Sequence, residues 1–385
     1  MDKPYLGIFI WIAVGLIIGA VLYFGFLAPK TPPAVPPVQN YSGTNQTITP
    51  PAQGQPTLDI LVINAPSCPD CNGSGLSPTL LANALPTFNI KMGTARTIEA
   101  DSSEAQALIS KYNISALPTA ILTPSGKLND SFTSVWATSA GTIEADGKMV
   151  YRAVAAPYYD TTEKKLVGFV SGIAINATGC PECIDSSIFM DSLESLGNMK
   201  FSSKKVLLPS DPEAVALIAA HNITRLPALL LSEDAMAYVF FQQRVLPLVE
   251  YEKGWYVLRN LTPPYVDLTA NNSVKGLVKA VYLVNDSCTL CFNVTQLSEY
   301  LSSSGGLYIS NSTTYDISTP EAKALVKKYD IKAIPMMMYS PDASDYPAFP
   351  SAWVEINSTI ESNGWFVFRS HQMLNEMVYQ NISSG

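Results

Sequence analysis

The chain has 385 residues, 47% of them hydrophobic and 15% charged. Such a length and apolar content describe a folded protein of two or three domains and exclude a disordered chain. A formal net charge of −8 with no run of Lys and Arg excludes a nucleic-acid backbone as partner.

From Leu6 to Leu27 no residue is charged. At ~1.5 Å per residue, this stretch is long enough to cross ~30 Å of hydrocarbon. A secretory signal has a shorter apolar region and a small-residue cleavage site, so residues 6–27 are predicted to be an uncleaved membrane anchor. Lys3 and Lys30 flank it evenly and give no orientation. Asn-X-Ser/Thr sequons at Asn40, Asn45, Asn72, Asn113, Asn129, Asn176, Asn222, Asn260, Asn271, Asn285, Asn293, Asn311, Asn357 and Asn381 all follow the anchor. They point to a glycosylated, extracytoplasmic C-terminal bulk, against the plainer reading that a chain rich in Asn, Ser and Thr makes sequons by chance. Residues 28–57, dense in Pro, Gln, Thr and Ser, read as a semi-rigid linker.

A repeat of about 110 residues follows. Cysteine pairs occur as CPDC (Cys68, Cys71), CPEC (Cys180, Cys183) and CTLC (Cys288, Cys291). Each is preceded by an apolar run, LDILVINA, LVGFVSGIAIN or LVKAVYLVND, that reads as a buried strand. Each pair is expected to open a helix, most clearly in CIDSSIFMDSLESL and CFNVTQLSEYL; CNGSGLSP is a poor opening. A second helix is marked by Asp211 or Thr319 as N-cap, Pro212 or Pro320 at its first position, and Ala105, Leu108, Ile109 and Tyr112 at helical spacing. Then come Leu117-Pro118, Leu226-Pro227 and Ile334-Pro335, each before an apolar strand, where a proline suggests a cis bond. The blocks GKMVYR, GWYVLR and GWFVFR close the repeat.

Strand, C-x-x-C, helix and aliphatic-proline step resemble the thioredoxin fold, and the segment ISKYNISALPTAILTPSGK is similar to the one leading into that family's cis-proline. Pro118, Pro227 and Pro335 follow the first cysteines by 50, 47 and 47 residues, near the family's distance. The resemblance implies an α/β fold: three tandem thioredoxin-like domains, 58–166, 167–277 and 278–385, each a mixed sheet flanked by helices. It further implies that Cys68, Cys180 and Cys288 are nucleophiles at helix N-termini, with Cys71, Cys183 and Cys291 resolving the mixed disulfide. Leu117, Pro118, Leu226, Pro227, Ile334 and Pro335 would lie beside the sulfurs and hold an extended substrate by their backbone. The sequence departs from the family in lacking a Trp before each pair. Val62, Ala174 and Tyr282 stand where the family has a buried acid, and the tail of each unit is richer in strand, with no recognisable final helix.

The expected function is thiol–disulfide exchange or isomerisation on exported proteins, similar in layout to multi-domain protein disulfide isomerases, with an unidentified redox partner. Within the repeat, Pro181 and the good helix of the middle unit favour Cys180 and Cys183. Two other readings of the cysteines stay open. Closing so short a loop removes only roughly 2 kcal/mol of chain entropy, yet three structural disulfides in a glycosylated surface scaffold would use the same residues. A metal site would need ligands beyond one C-x-x-C, and none is expected. No Ser–His–acid grouping or phosphate loop occurs, and no cofactor is expected. His221 takes the place of Tyr112 and Tyr329 and reads as helix-end packing, while His371 has no partner in sequence. The recurring Arg152, Arg259 and Arg369 either steady a thiolate or make ion pairs, and Trp136 and Trp353, replaced by Val245 in the middle unit, read as core.

Overall fold

The computed structural model describes residues 55–71, 85–259, 262–374 and 377–382. The expected anchor 6–27 and nearly all of the linker lie outside these residues, as does the segment following Cys71. Among the described residues, no helix is long and apolar enough to cross a membrane. They form two compact units of mixed α/β structure, one up to residue 259 and the other from 262.

The first unit holds two five-stranded sheets. In the first sheet, β1 (Thr57–Asn64) alternates so that Leu58, Ile60 and Val62 are buried on one face and Ile63 on the other. A strand covered on both faces must lie at the centre of its sheet. It pairs parallel with β2 (Lys91–Glu99) and antiparallel with β3 (Thr119–Ser125). With β4 (Gly141–Ile143) and β5 (Met149–Tyr151) the order is β2-β1-β3-β5-β4. The second sheet repeats this topology as β7-β6-β8-β10-β9, with β6 (Phe169–Ile175), β7 (Lys200–Leu207), β8 (Ala228–Ser232), β9 (Glu250–Glu252) and β10 (Trp255–Leu258).

The second unit repeats it again. There the order is β12-β11-β13-β15-β14, with β11 (Val278–Val284), β12 (Ile309–Asp316), β13 (Met336–Tyr339), β14 (Thr359–Ile360) and β15 (Phe366–Val367). A parallel neighbour requires a crossover, supplied here by the segment that carries the cysteine pair.

Helices cover both faces. In the first sheet α1 (Ser103–Tyr112) packs Ala105 and Tyr112 on Ile63, Ile121 and Val150, while α2 (Asp130–Ser139) packs Phe132 and Trp136 on Leu58, Ile60 and Val62. The second sheet carries α3 (Ser187–Gly197) and α4 (Pro212–Ala220). The third carries α5 (Val294–Gly305), α6 (Pro320–Tyr329) and α7 (Phe349–Glu355). Each fully buried large side chain contributes about 1.5–3 kcal/mol, which is what makes these amphipathic helices stay down. The tryptophans are core residues: Trp136 and Trp353 are buried and donate Nε1–H to the carbonyls of Thr142 and Thr359, both at 3.1 Å. Val245 packs at the edge of the middle core, beside the fully buried Phe241.

Thr319 caps α6 as expected, accepting from Ala322 N–H at 3.2 Å, and Ser102 does the same for α1. Asp211 is the N-cap of α4, but its carboxylate turns back to Leu208 N–H at 2.8 Å instead of capping the helix. The apolar runs at 58–65 and 277–286 each form one strand, β1 and β11, as the sequence predicts, while the second run is broken at Gly168. Gly168 and Gly276 take φ of +92° and +78° and break the chain before β6 and β11. A Cβ at Gly276 would stand 2.3 Å from Pro263 Cβ, so no other residue fits that turn. Each glycine is pinned by a buried tyrosine, Tyr238 or Tyr346, whose hydroxyl donates to the carbonyl of Gly168 or Gly276 and accepts from Lys200 N–H or Tyr308 N–H. Burial raises both phenols to about 12.

Candidate cysteine sites

All six cysteines are closed into three disulfides, Cys68–Cys71, Cys180–Cys183 and Cys288–Cys291, with Cα atoms 5.3, 5.3 and 5.4 Å apart. In each, the second cysteine's N–H donates to the carbonyl of the first at 3.2 Å, so the pair forms a tight turn at the end of the central strand. Contrary to the sequence expectation, the second and third pairs do not open their helices, and the segment after Cys71 lies outside the described residues. α3 begins four residues after Cys183 and α5 three after Cys291.

The amides at those helix starts are already engaged. Asn293 Oδ1 accepts from Thr295 N–H and Gln296 N–H, and Asn176 Oδ1 accepts from Ser186 N–H and its hydroxyl. A thiolate at Cys180 or Cys288 therefore gains little from the dipole, whose influence fades within one turn. Carboxylates oppose it further. Asp286 adjoins Cys288, and Asp316, held below its usual range by Asp286 N–H and by Ser318, lies at the end of the neighbouring strand.

The three sites differ in access. Cys68 and Cys71 are 9% and 2% exposed, and Cys180 is 7% exposed with Cys183 half-buried. Cys288 and Cys291 are both half-buried. They share a cleft of about 380 Å³ with Asn285, Phe292, Thr314 and Pro335. Leu290, between the two sulfurs in sequence, is 78% exposed, where the other pairs carry Asp70 and Glu182.

The three aliphatic-proline bonds are cis, and so are Ala156-Pro157 and Pro263-Pro264 further on in the first two repeats. Leu117, Leu226 and Ile334 are wholly buried, and Pro118, Pro227 and Pro335 are buried too, so a substrate would meet this step through its backbone. That backbone is in use: Ala116–Leu117 pairs with Tyr158–Asp160, and Ala333–Ile334 with Gln380–Asn381. Among the described residues no group of three or more His, Cys, Asp or Glu could hold a metal.

The recurring arginines close helices. Arg152 donates to the carbonyls of Tyr112 and Asn113 at the end of α1, and Arg369 to those of Tyr329 and Asp330 at the end of α6. Arg259 donates to the carbonyl of His221, the C-cap of α4. Each also pairs with Glu144, with Glu361, or with Glu250 and Glu252. Their positive charge complements the negative helix ends, and the ion-pair reading of the sequence holds.

His221 is buried at the end of α4, with Nδ1 3.0 Å from Glu252. His371, without a partner in sequence, is buried beside the third cleft. Its Nε2 lies 2.7 Å from the carbonyl of Pro335, and its ring packs on Phe292, Phe368 and Tyr379. Burial lowers its pKa below the ordinary imidazole value, against the bonds to the Pro335 and Arg369 backbone. No pattern in the sequence announces this contact. Asn293 could have been found, since Asn293-Val-Thr-Gln296 is spaced as a capping box. Tyr282, at the family's acid position, donates to Ser298 Oγ at 2.9 Å, and Ser298 is 2.7 Å from the Tyr339 hydroxyl.

No known protein family matches the sequence, and no curated protein matches it. Among solved structures, the chain is similar to full-length ERdj5, with 12% identity over 76% of this chain and 42% of that one and a TM-score of 0.15. It is also similar to human ERp44, with 12% identity over 74% of this chain and 77% of that one and a TM-score of 0.13. A third likeness is to a mutant of the alkylhydroperoxide reductase protein AhpF from Enterococcus faecalis, with 18% identity over 45% and 81% and a TM-score of 0.16. The chain thus spans less than half the length of ERdj5. At these TM-scores the likenesses say nothing of activity.

Proposed function

We propose that this protein is a membrane-anchored, extracytoplasmic thiol–disulfide oxidoreductase or isomerase of exported proteins, built from three tandem thioredoxin-like domains, 58–166, 167–277 and 278–385. Exchange is centred on Cys288 and Cys291. The observation that carries this reading is the third cleft, where a half-buried disulfide and a cis-proline line one opening. The middle pair, favoured by its sequence, has a buried first sulfur.

In the oxidising direction, a thiolate of an exported polypeptide attacks Sγ of Cys288 and releases the Cys291 thiolate. A second substrate thiolate attacks the substrate sulfur of the mixed disulfide and releases Cys288. The substrate leaves with one disulfide, and the two cysteines hold the electron pair and two protons. Exchange with a disulfide of a small thiol or a second protein restores the starting state. Run in reverse and then forward, the same steps isomerise.

A second reading has its own support. Cys68 and Cys71 are buried, as a structural bond would be, and a scaffold of inert units would have all three pairs behave this way. Thiol counting by mass spectrometry across a glutathione series separates the two. A reduction potential for Cys288–Cys291 within roughly −120 to −270 mV supports exchange. Three values below about −300 mV would replace the oxidoreductase with the scaffold.

A further inference from the structure

The chain covers the backbone edge before each cis-proline differently in the first and third repeats. In the first, Tyr158–Asp160 pairs with Ala116–Leu117 and is itself one arm of a hairpin with Lys165–Val167. Thr161 adds two bonds, from its N–H to Ser115 O and from its hydroxyl to Ile114 O. In the third, among the described residues, the cover is Gln380–Asn381 in a sheet of two strands with Ala333–Ile334, with one added bond from Ile382 N–H to Lys332 O and no second hairpin arm. So short a two-stranded ladder is marginal on its own.

This strand also touches the cysteine site on its other sides. Val378 O accepts from the N–H of Phe292, the residue after Cys291, at 3.0 Å. Gln380 Oε1 accepts from Asn285 Nδ2 at 2.7 Å, and the carbonyl of Asn285 accepts from Cys288 N–H. Tyr379 packs on His371, which is bonded to Pro335 O. Met377 and Val378 are 44% and 47% exposed, so the start of the segment is apolar and laid across the site outside the core, while Ile382 at its end packs partly buried against the third core.

We propose that Met377–Ile382 occupies the polypeptide-docking edge of the third site as an internal substitute for substrate, and that an extended polypeptide engages Lys332–Pro335 only by displacing it. This rests on the oxidoreductase reading above. The partner it fits is an unfolded or extended segment with apolar residues next to its cysteine. Such a segment can replace the strand's backbone bonds and meet Leu290, whereas a small thiol needs no edge.

The experiment compares two reductants of Cys288–Cys291 in the soluble ectodomain: reduced glutathione, and a reduced, unstructured ten-residue peptide with two cysteines flanked by Val and Met. Two variants remove the cover. One ends at residue 376. The other is Gln380→Pro: Ile382 N–H donates to Lys332 O, so by antiparallel alternation Gln380 and Ile334 form the next hydrogen-bonded pair, and proline has no donor.

Reduction by the peptide is expected to rise about tenfold in both variants, while reduction by glutathione stays within about twofold. Adding a synthetic peptide of residues 377–385 to the shortened chain should slow it again. Near-UV circular dichroism checks the fold, and if the shortened chain loses its signal the comparison stands on Gln380→Pro. Equal change with both reductants, or none with either, overturns the gating role. If neither reductant opens the pair in any variant, the exchange activity itself fails.

Discussion

Replacing Arg369 by Met separates a helix-closing arginine from one that serves a sulfur. Met keeps most of the apolar stem and removes the charged fork. The lost bonds are Nη2 to Tyr329 O at 2.6 Å, Nε to Thr359 Oγ1 at 2.9 Å and Nη2 to Glu361 Oε1 at 2.9 Å, with a weaker one from Nη1 to Asp330 O at 3.3 Å. The side chain is 28% exposed, so water reaches the orphaned carbonyls and the ion pair is partly screened. Counting about 0.5–1 kcal/mol for each of the good bonds gives a loss of about 2 kcal/mol. For a unit of this size the midpoint of thermal unfolding should fall by roughly 8 °C.

Urea unfolding followed by tryptophan fluorescence reads the effect, since Trp353 and Trp365 both report on this unit. Arg369→Lys should recover part of the loss, because an ammonium cannot reproduce the fork. A stability change under about 0.3 kcal/mol, together with a shifted potential of Cys288–Cys291, would falsify the helix-closing role and restore the thiolate reading.

Four further outcomes follow from the same geometry. A water-soluble phosphine should open Cys288–Cys291 first and Cys68–Cys71 last, as read by timed alkylation and peptide mapping; the reverse order would refute the ranking by access. The folded pKa of His371 is depressed, so the unfolded state binds more protons between that value and about 6.5. Stability of the third repeat is therefore full above about pH 6.5 and lost as pH falls toward the folded pKa, and His371→Gln should flatten that slope in urea titrations. Gly276→Ala, with φ at +78° and a Cβ forced on Pro263, should cost at least about 1–3 kcal/mol, whereas Gly254→Ala, with open space around it, should cost less. If sequons are used, glycan mapping should find Asn113, Asn222 and Asn311 modified ahead of Asn176 and Asn285, whose side-chain amides donate to Asp185 and Gln380.

Several of the sequons have a structural cause that a count cannot show. Asn113, Asn222, Asn271 and Asn357 take positive φ, which Asn tolerates better than most residues. Asn129 and Asn293 cap helices. The third copy puts Asp330 where the first has Asn113, in the same left-handed conformation, so the backbone need persists without the sequon.

The order of strand, cysteine turn, helix and proline step was legible because local rules carry it. Alternation marks β1 and β11, Thr319-Pro320 marks a helix start, and Leu117-Pro118 marks a cis step; each is written within a few consecutive residues. Repetition did the rest, since three copies of one pattern cannot be chance. The Tyr238–Gly168 and Tyr346–Gly276 locks, the arginine closure of helix ends, and the contact of His371 with Pro335 join residues 70, 70, 40 and 36 positions apart. No periodicity records a partner at that distance. Access to the sulfurs was invisible for the same reason. Cys68 and Cys288 sit in nearly identical local patterns, and their difference in exposure is set by whatever folds over them. The sequence by itself determined which residues could do thiol chemistry, because composition and spacing are local properties. Which pair can be reached, and by what, was decided only when the chain closed its own edge strands, because burial belongs to the whole unit and not to the motif.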